Sequence, residues 1–76
     1  MEERRYQVVT WCNDIGSDEK MDYNRFSFAV ADAEAFRKTE EYAAVYDRYY
    51  KIAFVIFGDP TTPVFADTVL VTTMNF

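Results

Sequence analysis

The side chains in this sequence that could do chemistry are one thiol and a set of carboxylates. The 76 residues contain a single cysteine, Cys12, together with 13 Asp and Glu residues and no histidine. The chain therefore has no imidazole to act as a general base or to activate a serine or cysteine. Cys12 falls in a predicted strand, where we interpret it as a small buried hydrophobe rather than a nucleophile. These residues predict a protein without catalytic activity.

Metal and nucleotide sites are not expected either. The segment 14–19 is rich in carboxylates, but it lacks the EF-hand pattern of oxygen ligands at loop positions 1, 3 and 5, Gly at 6 and Glu at 12. One thiol is too few for a structural zinc site. The two glycines, Gly16 and Gly58, lie too far apart in the sequence to form a phosphate-binding loop. We therefore predict no bound metal and no cofactor.

The first half of the chain is predicted to contain two strands and a long loop. Residues 4–12 are rich in β-branched and aromatic side chains, with Tyr6 and Val8 on one face and Val9 and Trp11 on the other. The polar segment 13–24 is expected to be a loop. Residues 26–30 alternate large apolar and small side chains, which indicates a second strand.

The segment that follows is predicted to be a long helix. Asp32 could cap its N-terminus, and apolar or aromatic residues recur at helical spacing over residues 32–49. The alternative ends the helix near Glu40 and makes residues 42–47 a strand. That alternative requires a tight turn after residue 47 without the Gly or Asn that such turns favour.

The last part of the chain is predicted to form two antiparallel strands. Residues 50–57 make the most apolar strand, which we expect at the centre of the sheet, and residues 64–73 make the final strand after the turn 58–63. The predicted fold is a single α+β domain over residues 1–76. It has a two-layer ββαββ order, with about four antiparallel strands packed on one helix.

One helix covers only one face of a sheet, yet both faces of the predicted strands carry apolar side chains. Ile52 and Phe54 would point to one face, and Val55 and Phe57 to the other. The sequence therefore predicts an apolar patch on the second face, of a size that usually marks an interface. The alternative is that the N-terminal arm or the predicted loop covers that face.

The charge balance restricts the class of partner. The net charge is −5, which argues against direct binding to nucleic acid and favours a basic protein surface. The longest strongly apolar run, Ile52 to Phe57, is far shorter than the ~20 residues that span a bilayer, so no membrane partner is expected. The charged start MEERR predicts no signal peptide, and the single cysteine favours a cytoplasmic setting.

In size and acidity alone, the chain resembles small viral inhibitors of nucleic-acid-handling enzymes, including anti-restriction and anti-CRISPR proteins. The resemblance implies a cytoplasmic inhibitor or modulator, possible phage origin, and a partner with a basic nucleic-acid-binding surface. The candidate acidic contacts are Asp14, Asp18, Glu19, Asp22, Glu40, Glu41 and Asp47, and the candidate apolar anchors are Trp11, Tyr49, Val55 and Phe57. The alternative hypothesis is an assembly module that forms a homodimer through the uncovered sheet face.

Overall fold

One helix packs on a mixed five-stranded sheet in the computed structural model, which describes residues 4–14, 16–59 and 70–73. The elements are β1 (Tyr6–Cys12), β2 (Gly16–Tyr23), α1 (Phe26–Ala35), a 3₁₀ turn (Phe36–Lys38), β3 (Tyr42–Asp47), β4 (Ile52–Phe57) and β5 (Leu70–Thr73). The strand order is β2-β1-β3-β4-β5, and only the β4–β5 pair is parallel. The predicted α+β class is confirmed, but the predicted four-stranded antiparallel sheet is wrong.

The strand predicted near the N-terminus is confirmed as β1, and the loop predicted after it is wrong. The segment 13–24 is largely strand β2, which pairs antiparallel with β1. Charged residues have low strand propensity, but β2 is an edge strand whose polar side chains stay in contact with water. Gly16 has a φ of 84° where the two strands join, a conformation that glycine adopts without strain.

The second predicted strand, residues 26–30, is the start of helix α1. Phe26, Ala29, Val30 and Ala33 lie at positions i, i+3, i+4 and i+7, which places them on one helical face. Ala29 and Ala33 are fully buried, and their small side chains let the helix approach the sheet closely.

Asp32 lies inside α1 and does not cap a helix, which corrects the predicted boundary. Its carboxylate accepts a hydrogen bond from the Tyr23 hydroxyl, so it ties the helix to the end of β2. Burial, reinforced by this hydrogen bond, raises the pKa of Tyr23.

The long helix over residues 32–49 is wrong, and the alternative with a strand at 42–47 is confirmed. This segment is β3, the central strand of the sheet. Tyr42, Ala43, Ala44 and Val45 are all buried, so the strand lacks the apolar–polar alternation of a strand with one solvated face. Its tyrosine spacing therefore imitated a helix.

The turn between β3 and β4 is closed by a side chain. The Oδ1 atom of Asp47 accepts hydrogen bonds from the backbone N–H groups of Tyr49 at 2.9 Å and Tyr50 at 3.4 Å. Lys51 then takes a positive φ of 57°, which non-glycine residues rarely adopt. The Asp47 side chain thus stabilises a turn that has no Gly or Asn, which is why the sequence did not indicate a turn here.

A register shift changes the face on which Phe57 lies. Ala43 pairs with Phe57 and Ala44 with Val55, so Ile56 is an extra residue in β4. Ile56 and Phe57 consequently both join the core cluster beneath α1. The prediction that Phe57 shares a face with Val55 is therefore wrong.

The last strand, β5, runs parallel to β4 rather than antiparallel. The predicted segment 64–69 lies outside the described residues. Because β5 occupies the far side of β4, the apolar strand β4 is interior, but the centre of the sheet is β3.

The face of the sheet opposite α1 is not an open apolar patch at its centre. Val9, Ala44 and Val55 are at most 5% exposed within the single chain, and Trp11 packs against the cluster that contains Ala44 and Val55. Within the described ranges, the large exposed apolar side chains lie elsewhere: Met21, Phe28, Tyr49, Tyr50, Leu70 and Val71.

Candidate functional surfaces

The charged side chains divide between the two ends of the sheet. Five of the eight Lys and Arg residues lie where β1 begins and β3 ends: Arg4, Arg5, Arg25, Arg48 and Lys51. The opposite end carries the β1–β2 hairpin turn and the start of β3. Asp47 pairs with Arg5 and Asp22 with Arg48 at this end, so its described cations outnumber its carboxylates, and we call it the basic end.

Four of the seven predicted acidic contacts are already paired with cations of the same chain. Their ion pairs are Asp18 with Lys20, Glu40 with Lys20, Asp22 with Arg48, and Asp47 with Arg5. The hydrogen bond from Lys20 to Asp18 raises the pKa of Lys20. A basic partner that engaged these carboxylates would compete with internal cations.

The other three predicted contacts, Asp14, Glu19 and Glu41, are exposed and form no ion pair with any described residue. Asp14 lies in the β1–β2 turn next to Asn13, whose backbone N–H donates to the Glu41 carboxylate at 2.6 Å. Glu19 lies on β2, opposite Val9. We call these three carboxylates the acidic hairpin end.

Trp11 is the predicted apolar anchor that lies beside the acidic hairpin end. The backbone N–H of Glu41 donates to the Trp11 carbonyl at 3.0 Å, and Trp11 pairs with Tyr42 across the β1–β3 ladder. The Trp11 side chain is half-buried, so part of the indole reaches solvent beside Glu41, whose carboxylate forms no ion pair with a described residue. Aromatic side chains in this setting are common at the centre of protein interfaces.

The other three predicted anchors do not join this surface. Val55 is 1% exposed, and Phe57 is 9% exposed with the Arg37 guanidinium 4.7 Å above its ring. Tyr49 is well exposed, but it lies at the basic end. The structure therefore separates the predicted anchors.

The basic end is built around a salt bridge between Arg5 and Asp47. Nε and Nη2 of Arg5 each donate to a different carboxylate oxygen at 2.7 Å. Asp47 is only 3% exposed, and the hydrogen bonds from Arg5, with help from the turn amides, lower the pKa of Asp47. The same hydrogen bonds raise the pKa of Arg5, so both groups stay charged over the physiological range.

Aromatic rings surround this salt bridge. The Arg5 guanidinium lies about 5 Å from the ring centroids of Tyr6, Tyr49 and Tyr50, a distance at which cation–π attraction operates. Tyr49 and Tyr50 also contact each other edge to face. Through these contacts the turn 48–51 packs against Arg5.

An open, mainly apolar cleft of about 500 Å³ lies beside the salt bridge. Its lining is Arg5, Tyr6, Phe26, Asp47, Tyr50, Phe54 and Thr72. The ring of Phe26, from the start of α1, contacts Tyr6 and Phe54 edge to face. A cleft of this size can accept a large side chain or a small molecule.

Sequence reasoning missed the cleft and its salt bridge. Arg5 and Asp47 are 42 positions apart, and only the pairing of β1 with β3 brings them together. The Asp-Arg-Tyr-Tyr-Lys sequence at 47–51 was a usable signal, since an aspartate followed by a short polar segment often forms a side-chain-closed turn.

These features define a small α+β domain with an acidic hairpin end and a basic, aromatic end. The described residues include no group of Cys, Asp and Glu side chains placed to hold a metal ion. In the same part of the chain, no helix has the length and apolarity needed to cross a membrane. Comparison of the sequence and structure with models of protein families, curated proteins and solved structures gives no match.

Proposed function

We propose that this chain is a non-catalytic inhibitor or modulator that binds the basic surface of a nucleic-acid-handling protein. The observation that supports the proposal is the acidic hairpin end. Its carboxylates, Asp14, Glu19 and Glu41, form no ion pair with a described residue, and Glu41 is hydrogen-bonded through its backbone to the partly exposed Trp11. A basic partner would engage them without first breaking an ion pair of this chain.

The two parts of this surface have different tasks. A half-buried indole in contact with a partner supplies affinity, because aromatic anchors dominate the energetics of interfaces. Exposed carboxylates mainly raise the rate of encounter and select the partner by charge. A protein of this kind works in the cytoplasm, where nucleic-acid-handling enzymes act.

The alternative of a homodimer through the second sheet face has less support. The centre of that face is already buried, with Ala44 fully buried and Val55 1% exposed. A second copy would therefore gain little apolar contact there unless the chain rearranged.

The test uses two variants that change the net charge equally, from −5 to −2. The first neutralises the acidic hairpin end with Asp14→Asn, Glu19→Gln and Glu41→Gln. The second is a matched control that neutralises three carboxylates already bonded within the chain, by Asp22→Asn, Asp32→Asn and Glu34→Gln.

Each immobilised protein is exposed to lysate of the native host and eluted with rising salt and, separately, with single-stranded DNA. We expect one basic protein that is released by moderate salt and by DNA, is retained by the control variant, and is lost from the hairpin variant. Equal capture by the two variants would contradict the proposal. Recovery of the protein alone, unaffected by salt, would favour self-assembly.

A further inference from the structure

Strand β5 leaves one side of its backbone unpaired by any described residue. The N–H of Leu70 donates to the Lys51 carbonyl at 3.3 Å, so Leu70 and, by alternation, Thr72 direct their backbone groups toward β4. The N–H and C=O of Val71 and Thr73 therefore point away from the sheet. Leu70 is 65% exposed and Val71 is 36% exposed.

The two edges of the sheet differ in a way that matters for strand addition. The other edge, β2, carries Asp18, Glu19, Lys20 and Asp22, and charged side chains on an edge strand discourage pairing with another chain. The described residues of β5 read LVTT, with no charge, proline or glycine. Among the described residues, charged side chains therefore protect the β2 edge, and no strand pairs with the outer side of β5.

The cleft lies beside this open edge. Thr72 of β5 and its ladder partner Phe54 both line it, together with Phe26 and Tyr6. Because side chains of a strand alternate between faces, a strand added to β5 would direct every second side chain toward the face that carries the cleft. An apolar or aromatic side chain of that strand would fit its lining.

Lys51 adds a charge preference at the same place. It is exposed, its ammonium forms no ion pair with a described residue, and its carbonyl anchors the first residue of β5. Lys51 also holds a positive φ of 57°, where glycine would be less strained. The exposed ammonium of Lys51 therefore lies next to the start of β5, where it would attract a carboxylate.

We propose that β5 and the adjacent cleft bind an extended acidic peptide segment of a protein partner. The segment adds as a sixth strand beside Val71, places an apolar side chain in the cleft, and presents a carboxylate to Lys51. A second copy of this chain fits less well, because an edge of four described residues cannot by itself bury the ~1,000 Å² that a stable dimer needs. A peptide gains further contact from the cleft.

The test measures fluorescence anisotropy of a short labelled peptide in which Glu alternates with Phe and Val. A matched peptide has Lys in place of Glu. We expect saturable binding of the Glu peptide to the wild-type chain and at least about tenfold weaker binding of the Lys peptide, which corresponds to about 1.4 kcal/mol. Equal affinity for the two peptides, or absence of binding at millimolar protein, would overturn the proposal.

Two variants separate binding from folding. Lys51→Gly relieves the backbone strain of the positive φ, so the urea midpoint of unfolding should stay unchanged or rise. The affinity for the Glu peptide should fall about fivefold. Val71→Pro removes an outward N–H that makes no bond to β4, so the sheet tolerates it and peptide affinity falls at least about tenfold. Unchanged affinity in either folded variant would refute the proposed contact.

Light scattering across a concentration series measures the molecular mass and so tests whether a second copy of this chain binds at β5. A dimer that Val71→Pro abolishes would show that the edge pairs with a second copy, and the peptide proposal would be wrong. Neutralising Asp14, Glu19 and Glu41 should leave peptide affinity unchanged, since those carboxylates lie at the opposite end of the sheet. Failure of the peptide proposal can therefore be told apart from failure of the proposed function, because the two rest on different residues.

Discussion

Gly58 approaches the start of β3 so closely that one added methyl group tests the packing of the sheet. It has a φ of 98°, and a Cβ atom added to it would lie 2.5 Å from the Glu41 carbonyl oxygen and 2.8 Å from the Tyr42 Cα. Both neighbours are backbone atoms, which cannot swing away as a side chain would. Gly58→Ala therefore combines an unfavourable backbone conformation with a steric overlap.

The two costs can be estimated separately. A left-handed conformation costs a non-glycine residue about 1–2 kcal/mol, and forcing an extra methyl group into a packed region costs about 1–3 kcal/mol. Their sum, about 2–5 kcal/mol, is a large part of the about 4–11 kcal/mol expected for a 76-residue domain. The unfolding temperature should fall by at least about 10 °C.

Gly16→Ala is the matched control, because Gly16 also has a positive φ, 84°. Apart from its chain neighbours, no described residue comes within 4 Å of the position that its added methyl group would take. It should cost only the conformational part, about 1–2 kcal/mol. Urea unfolding followed by the fluorescence of Trp11, the single tryptophan, measures both variants. Equal destabilisation by the two substitutions would refute the close approach of Gly58 to β3.

Three further predictions concern buried polar groups. The buried Thr10 hydroxyl has no hydrogen-bond partner among the described residues. Thr10→Val should therefore raise the free energy of unfolding by about 1 kcal/mol in urea titration. A lower free energy of unfolding would mean that the hydroxyl is hydrogen-bonded. Burial raises the pKa of Tyr42 to about 12, from an ordinary value of 10.0. The wild-type chain should therefore lose about 2 kcal/mol relative to Tyr42→Phe as the pH rises from 10 to 12, and parallel pH curves would contradict this. Arg5 lowers the pKa of Asp47 below its ordinary 3.8, so the stability that this carboxylate provides is present above that pH and disappears as the pH falls through its folded pKa. Asp47→Asn should lower the free energy of unfolding by about 1–2 kcal/mol at neutral pH. The difference from wild type should shrink below about pH 4 in acid titration. A difference that stays constant with pH would exclude the charge as its cause.

The elements with one clear signal were predictable from the sequence, and those with conflicting signals were not. β1 followed from its β-branched and aromatic residues. The prediction for β3 was wrong because a strand buried on both faces loses its apolar–polar alternation. The helical spacing of Tyr42 and Tyr46 therefore outweighed the two-residue period of the strand. The prediction for the start of α1 was wrong in the opposite sense, because Phe26 and Phe28 lie two positions apart, as the apolar residues of a strand do.

The candidate site was predictable in residue type but not in pairing. The carboxylates in the sequence suggested seven candidate contacts, which remain a prediction. Asp22 meets Arg48 from 26 positions away, and only the order of the strands brings the two together. The register shift that turns Phe57 toward α1 likewise has no signal in an unbroken apolar run. Which charges remain free is therefore a property of the tertiary fold.

The two proposed surfaces are compatible with one partner as well as with two. The acidic hairpin end belongs to the β1–β2 side of the sheet, while β5 forms the opposite edge, four strand spacings or about 19 Å from β2. A protein with a basic surface and an acidic extended segment could engage both at once, and linkage would then raise the overall affinity far above that of either contact. In that case Val71→Pro and the neutralised hairpin would each weaken the binding of the same partner, and their effects would multiply in the double variant as long as both contacts still engage at once. If each variant instead weakened the binding of a different protein and left the other protein's affinity unchanged, the two contacts would serve two partners.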